Sequence, residues 1–92
     1  MERLPRALLD FRGYSFFFYS KEDNEPVHIH VSKGKPSNNN AKFWIKRDGI
    51  ELAHNDARIP KKDLKDIYEY LYSNKEDIIY AWYQFFGSDA RL

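Results

Sequence analysis

Alternating apolar and polar side chains predict strands in the first half of the chain. Val27 to Val31 has the sequence VHIHV and Ala41 to Lys46 has the sequence AKFWIK, so every second side chain is apolar. This period of two is typical of a strand with one buried face. The apolar run Ala7 to Phe11 and the aromatic run Tyr14 to Tyr19 also predict strands, and Ile50 to Ala53 predicts the last one.

The segments between these strands are short and rich in turn-forming residues. Arg12-Gly13 supplies one turn, and Asp48-Gly49 predicts a two-residue hairpin because both central residues must tolerate positive φ. Lys21 to Pro26 predicts a polar turn, and Lys33 to Asn40 predicts a mobile loop. Connections of this length favour an antiparallel meander of about four to five strands.

The period changes to that of a helix after Pro60, which suits a first helical position. Leu64, Ile67, Tyr68 and Leu71 recur at helical spacing. Asn74 is predicted to cap a second helix, which ends at Gly87, and residues 88–92 are predicted to form a frayed tail. The buried stripe of that second helix is predicted to contain Ile78, Ile79, Trp82, Phe85 and Phe86. The predicted fold is therefore α+β: an antiparallel β-meander with two C-terminal helices packed on one face, in one domain spanning residues 1–92.

Splitting each strand by face gives one apolar side and one mixed side. The apolar set is predicted to meet the helices and form the core: Val27, Ile29, Val31, Phe43, Ile45, Ile50 and Leu52, with Phe16 and Phe18. The opposite set combines histidine, lysine and aromatic groups on a surface that the helices should leave uncovered: His28, His30, Lys42, Trp44, Lys46 and Glu51, with Phe17 and Tyr19.

Composition narrows the class of protein. The 92 residues include no cysteine, so neither a disulfide nor a thiolate metal site is available, and 17% aromatic residues supply the core. The first residues do not resemble a signal peptide, and no run is long enough to span a bilayer, so we expect a cytoplasmic protein that does not enter membranes. A net charge of +1 neither requires nor excludes nucleic acid.

His28 and His30 are the candidate catalytic residues. They lie two residues apart on one strand, so both rings are expected on the same side of the sheet, about 7 Å apart. Two imidazoles could exchange protons at neutral pH while Lys42 and Lys46 stabilise a phosphate, as in a metal-independent ribonuclease. In a second interpretation, Trp44, Tyr19 and Phe17 stack bases, or contact a partner, without catalysis.

A metal site would need further ligands from Glu25, Glu51 or His54, and we predict neither a metal nor another cofactor. In a purely structural interpretation, the histidines form only the polar side of a half-exposed strand.

The chain also resembles a known bacterial family. The run GYSFFFYSKEDNEPVHIHV, then AKFWI, then AWYQFFG is similar to the family catalogued as domain of unknown function 4160. Its hallmarks, an aromatic strand, a turn that ends in Glu-Pro and a His-x-His-Val strand, fall here on Phe16 to Tyr19, Glu25-Pro26 and His28 to Val31, with Trp82 near the end. The resemblance implies a compact protein often encoded beside another small protein, as in toxin–antitoxin pairs.

We therefore expect a protein of toxin–antitoxin type that acts on RNA through the histidine face. The alternative is a non-enzymatic interaction or regulatory module that uses the same face for a partner or for a homodimer. The expected partners are RNA or the small protein of the neighbouring gene.

Overall fold

The computed structural model describes residues 2–87 and 91–92, which form a five-stranded sheet and two helices. The strands are β1 (Arg3–Phe11), β2 (Tyr14–Tyr19), β3 (His28–Lys33), β4 (Ala41–Lys46) and β5 (Gly49–Asn55), and the helices are α1 (Lys61–Ser73) and α2 (Lys75–Phe86). The strand order is β1-β2-β3-β4-β5, and every neighbouring pair is antiparallel. The predicted α+β fold, a meander followed by two C-terminal helices, is confirmed.

The first strand is longer than the apolar pattern indicates. It begins at Arg3 and includes Pro5, which an edge strand tolerates because one row of its backbone groups has no partner. Its register against β2 shifts three times between Arg3 and Phe11. Such irregularities twist an edge strand and reduce its tendency to pair with another chain.

The two tight hairpins differ in how well the sequence predicts them. The predicted turn at Arg12-Gly13 is confirmed, and both of its central residues are left-handed, with φ values of 52° and 82°. The β4–β5 prediction is wrong by one residue, because Gly49 pairs with Lys46 as the first residue of β5. The turn therefore consists of Arg47 and Asp48, neither of which has positive φ.

One face of the sheet and the inner sides of both helices form the core. From the predicted apolar set, Val27, Ile29, Val31, Phe43 and Ile45 are at most 1% exposed, whereas Ile50 and Leu52 at the β5 edge are partly buried. Phe16 and Phe18 belong to the same cluster, as predicted. The helices contribute Ile67 and Leu71 of α1 and Ile78 and Trp82 of α2 to this core cluster.

The helices differ from their predictions in detail. Pro60 is the N-cap residue of α1, with an extended backbone, and the helix proper begins at Lys61. The Asn74 side chain does not cap α2; its Nδ2 donates a 2.7 Å hydrogen bond to the carbonyl of Tyr70 at the end of α1. Phe85, predicted to lie in the buried stripe, is 37% exposed. Neither helix has the length and apolar character needed to cross a membrane.

The segment between β3 and β4, predicted to be a mobile loop, contains several side-chain hydrogen bonds. The backbone amide of Ser37 donates to Ser32 Oγ, and Asn40 Nδ2 donates to the carbonyl of Ser37. Part of the predicted frayed tail, residues 88–90, lies outside the described residues. The carbonyl of Arg91, beyond that gap, accepts a 2.7 Å backbone hydrogen bond from Val27.

Candidate functional site

The sheet brings the two predicted histidines together. Pleating places His28 and His30 on the same side of β3, and the register sets them opposite Trp44 and Lys42 of β4. Their ring centroids are 5.2 Å apart, and the Trp44 ring lies 5.5 Å from that of His28. The prediction that these residues share one face, opposite the apolar core set, is therefore confirmed.

The expectation that the histidine part of this face is open to solvent is wrong. His28 is fully buried, His30 is 4% exposed, and Phe17, predicted to stack a base, is fully buried. Part of the cover comes from the turn after β2, which folds back over β3 after a left-handed residue at Lys21, where φ is 65°. This turn brings the carboxylate of Glu22, itself 9% exposed, against both imidazoles.

Aromatic rings enclose the rest of the pair. Tyr19 lies 4.7 Å from His30, edge to face, and Phe17 lies 5.7 Å away in a stacked arrangement. Trp82 of α2 approaches His28 to 5.3 Å, so the second helix does contact this site, contrary to expectation. The imidazoles therefore lie among aromatic rings, and their polar contacts are with groups inside the protein.

Every ring nitrogen of the pair has a partner. Nε2 of His28 and Nε2 of His30 lie 3.0 Å and 2.9 Å from the same oxygen, Oε1 of Glu22. Nδ1 of His28 lies 2.9 Å from the carbonyl oxygen of Pro26, and Nδ1 of His30 lies 2.9 Å from Oδ1 of Asn40. We call Glu22, His28 and His30 the Glu-His-His cluster.

The cluster favours an ionised carboxylate. Burial by itself would raise the pKa of Glu22, but the hydrogen bonds and charges of the two histidines outweigh it and hold the pKa well below the ordinary value of 4.5. Glu22 thus supplies a negative charge in a site that is almost closed to water. That charge stabilises protons or a cation at the Nε2 positions.

The two lysines that were predicted to bind a phosphate form ion pairs at the rim of the face. Lys42 Nζ lies 2.7 Å from Glu25 Oε1 and 4.3 Å from the centre of the Trp44 ring. Lys46 is exposed and pairs with Glu51 at 3.0 Å. Trp44, Lys42 and Tyr19 are partly buried.

The acidic partner of the histidines is a residue that the sequence analysis missed. It considered Glu25, Glu51 and His54 as further ligands, but the first two pair with lysines and His54 lies 3.5 Å from Asp56. Glu22 takes the position instead. The available signal was an acid six residues before the first histidine, in a turn short enough to fold back over the strand.

A second surface feature lies on the helices. Tyr80 and Tyr83 of α2 are 66% and 44% exposed. They lie three residues apart, so they are neighbours on the surface of the helix. We call these two residues the tyrosine ridge. Glu76 and Asp77, in the first turn of the same helix, are also exposed.

Fold and site together define a small α+β protein in which a meander encloses a carboxylate-bridged histidine pair. Residues 13–83 match the family described as Domain of unknown function (DUF4160), and the chain belongs to that family. No curated protein and no solved structure matches the chain.

Proposed function

We propose that the protein is a non-enzymatic interaction module that binds a protein partner through the tyrosine ridge of α2. The carrying observation is that Tyr80 and Tyr83 are large, adjacent and exposed on a helix whose other side is anchored by the buried Trp82. Tyrosine is enriched in protein interfaces because it offers a large apolar ring with a polar tip and few rotatable bonds.

The charges beside the ridge indicate the chemistry of the partner. Glu76 and Asp77 are exposed one turn before Tyr80, and the last turn of α2 contains no basic residue. A partner with an apolar patch bordered by arginine or lysine would complement this surface. The protein encoded by the neighbouring gene is our candidate, in a cytoplasmic pair of toxin–antitoxin type.

The state of the histidine face supports this choice over catalysis. All four imidazole nitrogens have hydrogen-bond partners inside the protein, and the ammonium groups of Lys42 and Lys46 are paired with carboxylates. A general acid or base must reach the proton that it transfers, and a lysine that binds phosphate must release its own partner first.

The test is to mix the chain with the purified neighbour-encoded protein and to measure association by sedimentation velocity. Replacing both Tyr80 and Tyr83 with serine is expected to abolish the complex or weaken it at least tenfold. Tyr72→Ser is the matched control, because Tyr72 is 61% exposed but lies on α1. The proposal is wrong if the double variant binds as tightly as the wild type, or if the wild type does not bind.

Action on RNA is the second candidate, favoured by the arrangement on β4. Trp44, with the Lys42 ammonium over its ring, and the exposed Lys46 lie on one side of that strand, where a base could stack beside a cation. Binding of a single-stranded RNA oligonucleotide, weakened by Lys46→Ala and unchanged by Lys61→Ala on α1, would support it. RNA cleavage that survives in a folded His28→Ala/His30→Ala variant would eliminate the catalytic role of the histidines.

A further inference from the structure

We propose that the Glu-His-His cluster is a binding site for a divalent transition-metal ion of the zinc class. The site uses no residue of the tyrosine ridge and is independent of the function proposed above. The first observation is convergence: one oxygen of Glu22 and one nitrogen from each of His28 and His30 all lie within 4.8 Å of one another. All three side chains are buried, so this is not a chance grouping of surface charges.

The second observation is the orientation of the two imidazoles. The acceptor of His28 Nδ1 is a backbone carbonyl, which has no hydrogen to give, so this nitrogen must donate. The Asn40 amide is oriented by its Nδ2, which donates to the carbonyl of Ser37 at 2.9 Å, so its Oδ1 accepts from His30 Nδ1. Both rings therefore direct Nε2 toward Glu22.

This is the arrangement of histidines that bind metals. A ligating imidazole almost always donates its second N–H to a carbonyl or carboxylate, which fixes the tautomer and the direction of the free lone pair. Pro26 and Asn40 supply those outer acceptors for His28 and His30. The protein thus holds two metal-ligand nitrogens and one carboxylate oxygen ready around a single point.

The shared carboxylate oxygen provides the third argument. Oε1 of Glu22 lies within hydrogen-bond distance of Nε2 in both His28 and His30, so the three polar atoms face one another across a space that is almost closed to water. A divalent ion in that space would bond directly to all three atoms.

Small shifts of the side chains bring the cluster to the dimensions that such an ion requires. Ligand atoms arranged tetrahedrally at 2.0–2.2 Å from zinc lie about 3.3–3.6 Å from each other, compared with the 2.9 Å and 3.0 Å that separate Glu22 Oε1 from the two nitrogens and with no separation above 4.8 Å in the cluster. The histidines are held by β3, whereas Glu22 lies on a turn and its side chain is 11% exposed. The carboxylate can therefore shift outward by the roughly half an ångström required, and this side gives the ion and a water ligand access.

The donor set also selects the class of ion. Imidazole and carboxylate suit Zn²⁺, Co²⁺ and neighbouring transition metals, whereas Ca²⁺ and Mg²⁺ prefer oxygen ligands alone. The chain has no cysteine that could compete for the metal. His54, its third histidine, is exposed and pairs with Asp56, so it offers a control outside the cluster.

The experiment is isothermal titration of the tag-free, EDTA-treated chain with zinc chloride, paralleled by absorption spectra with cobalt chloride. We expect one ion per chain and cobalt d–d bands. Asn40→Ala, which removes the acceptor behind His30 together with the amide's hydrogen bonds to Tyr19 and Ser37, should weaken affinity about 10- to 100-fold. Glu22→Gln should weaken it further, and His54→Gln should leave it unchanged.

A measurement on the wild type keeps the test valid if a variant does not fold. Zinc should shift the NMR resonances of Nε2 in both His28 and His30 much further than those of Nδ1, and should raise the melting temperature with the logarithm of the free zinc concentration once that exceeds the dissociation constant. No binding at millimolar zinc, a stoichiometry lost in His54→Gln, or unchanged Nε2 resonances in a zinc-saturated sample would overturn the proposal.

Discussion

Replacing Glu22 with glutamine tests how strongly the buried carboxylate stabilises the fold. Glutamine keeps the size of the side chain but removes the negative charge that faces His28 and His30. Each charge-assisted hydrogen bond contributes about 1.5–3 kcal/mol, and removing one partner of a buried ion pair costs about 3–5 kcal/mol. We therefore expect Glu22→Gln to lower the free energy of unfolding by about 3 kcal/mol.

The matched control is Glu25→Gln, the same substitution three residues away in the same turn. Glu25 also forms an ion pair, with Lys42, but its side chain is 33% exposed. Pairs of this kind contribute at most about 1 kcal/mol. Urea unfolding in metal-free buffer at pH 7, followed by tryptophan fluorescence, measures both variants. If Glu22→Gln is no more destabilising than Glu25→Gln, the carboxylate does not stabilise the histidine pair.

The stability that Glu22 contributes is also expected to depend on pH, in a direction that its pKa determines. The pKa of Glu22 is lower in the folded protein than its ordinary value of 4.5, so its stabilisation is complete above that value. It is lost as pH falls through the lower pKa of the folded state. The difference in stability between wild type and Glu22→Gln should therefore be constant near neutral pH and shrink in acid, and a difference that grows in acid would contradict the assignment.

Three further predictions concern the core. The phenol of Tyr14 is buried and donates a 2.6 Å hydrogen bond to Asp63, and burial followed by this carboxylate raises its pKa to about 12. Its stabilisation is complete below pH 10 and is lost as pH rises through 12. Burial, with the charges of Asp10 and Asp77, also raises the pKa of Tyr70, so an absorbance titration should show late-titrating tyrosines of which Tyr14→Phe removes one. Trp82→Ala should lower the free energy of unfolding in urea by about 3–5 kcal/mol, whereas Trp82→Phe should lower it clearly less, because the indole N–H has no hydrogen-bond partner among the residues that the structure describes. Ser15→Ala should change the free energy of unfolding by less than about 1 kcal/mol, since the buried Ser15 hydroxyl also has no partner within residues 2–87 and 91–92; a loss near 3 kcal/mol would indicate a partner.

The periodicity of the chain was sufficient to predict the sheet and its core face. Val27, Ile29 and Val31 alternate with polar residues, and this alternation fixes which side of β3 meets the helices, whatever the exact register. The arrangement of β1 could not be predicted in the same way. Pro5 and the irregular register beside it leave no clean period between Arg3 and Phe11.

The site was predicted only in part, because alternation specifies a face but not what covers it. His28 and His30 were assigned correctly to the side opposite the core, yet a polar segment such as Lys21 to Pro26 gives no sign that it folds back over a strand. Glu22 has the same local pattern as Asp23 and Glu25, which remain at the surface or pair with lysine. Glu22 differs from them in following the left-handed backbone of Lys21, and the local sequence pattern does not specify that conformation.

The placement of the exposed aromatics shows the same limit. Phe85 and Tyr83 lie two residues apart near the end of α2, where a small rotation of the helix decides which side chain is covered. The sequence pattern assigned Phe85 to the buried stripe, whereas the structure leaves it 37% exposed beside the 44% exposed Tyr83. The hydrophobic period therefore located the helix but not the limits of its buried face.

The most direct test of the Glu-His-His cluster is a long-range ¹H–¹⁵N NMR correlation of the histidine rings in the metal-free protein. The geometry predicts that Nδ1 carries a hydrogen in both His28 and His30, protected from exchange by the acceptors Pro26 and Asn40. An unprotonated Nδ1 in either ring, or rapid exchange with solvent at both, would show that the imidazoles do not direct Nε2 toward Glu22.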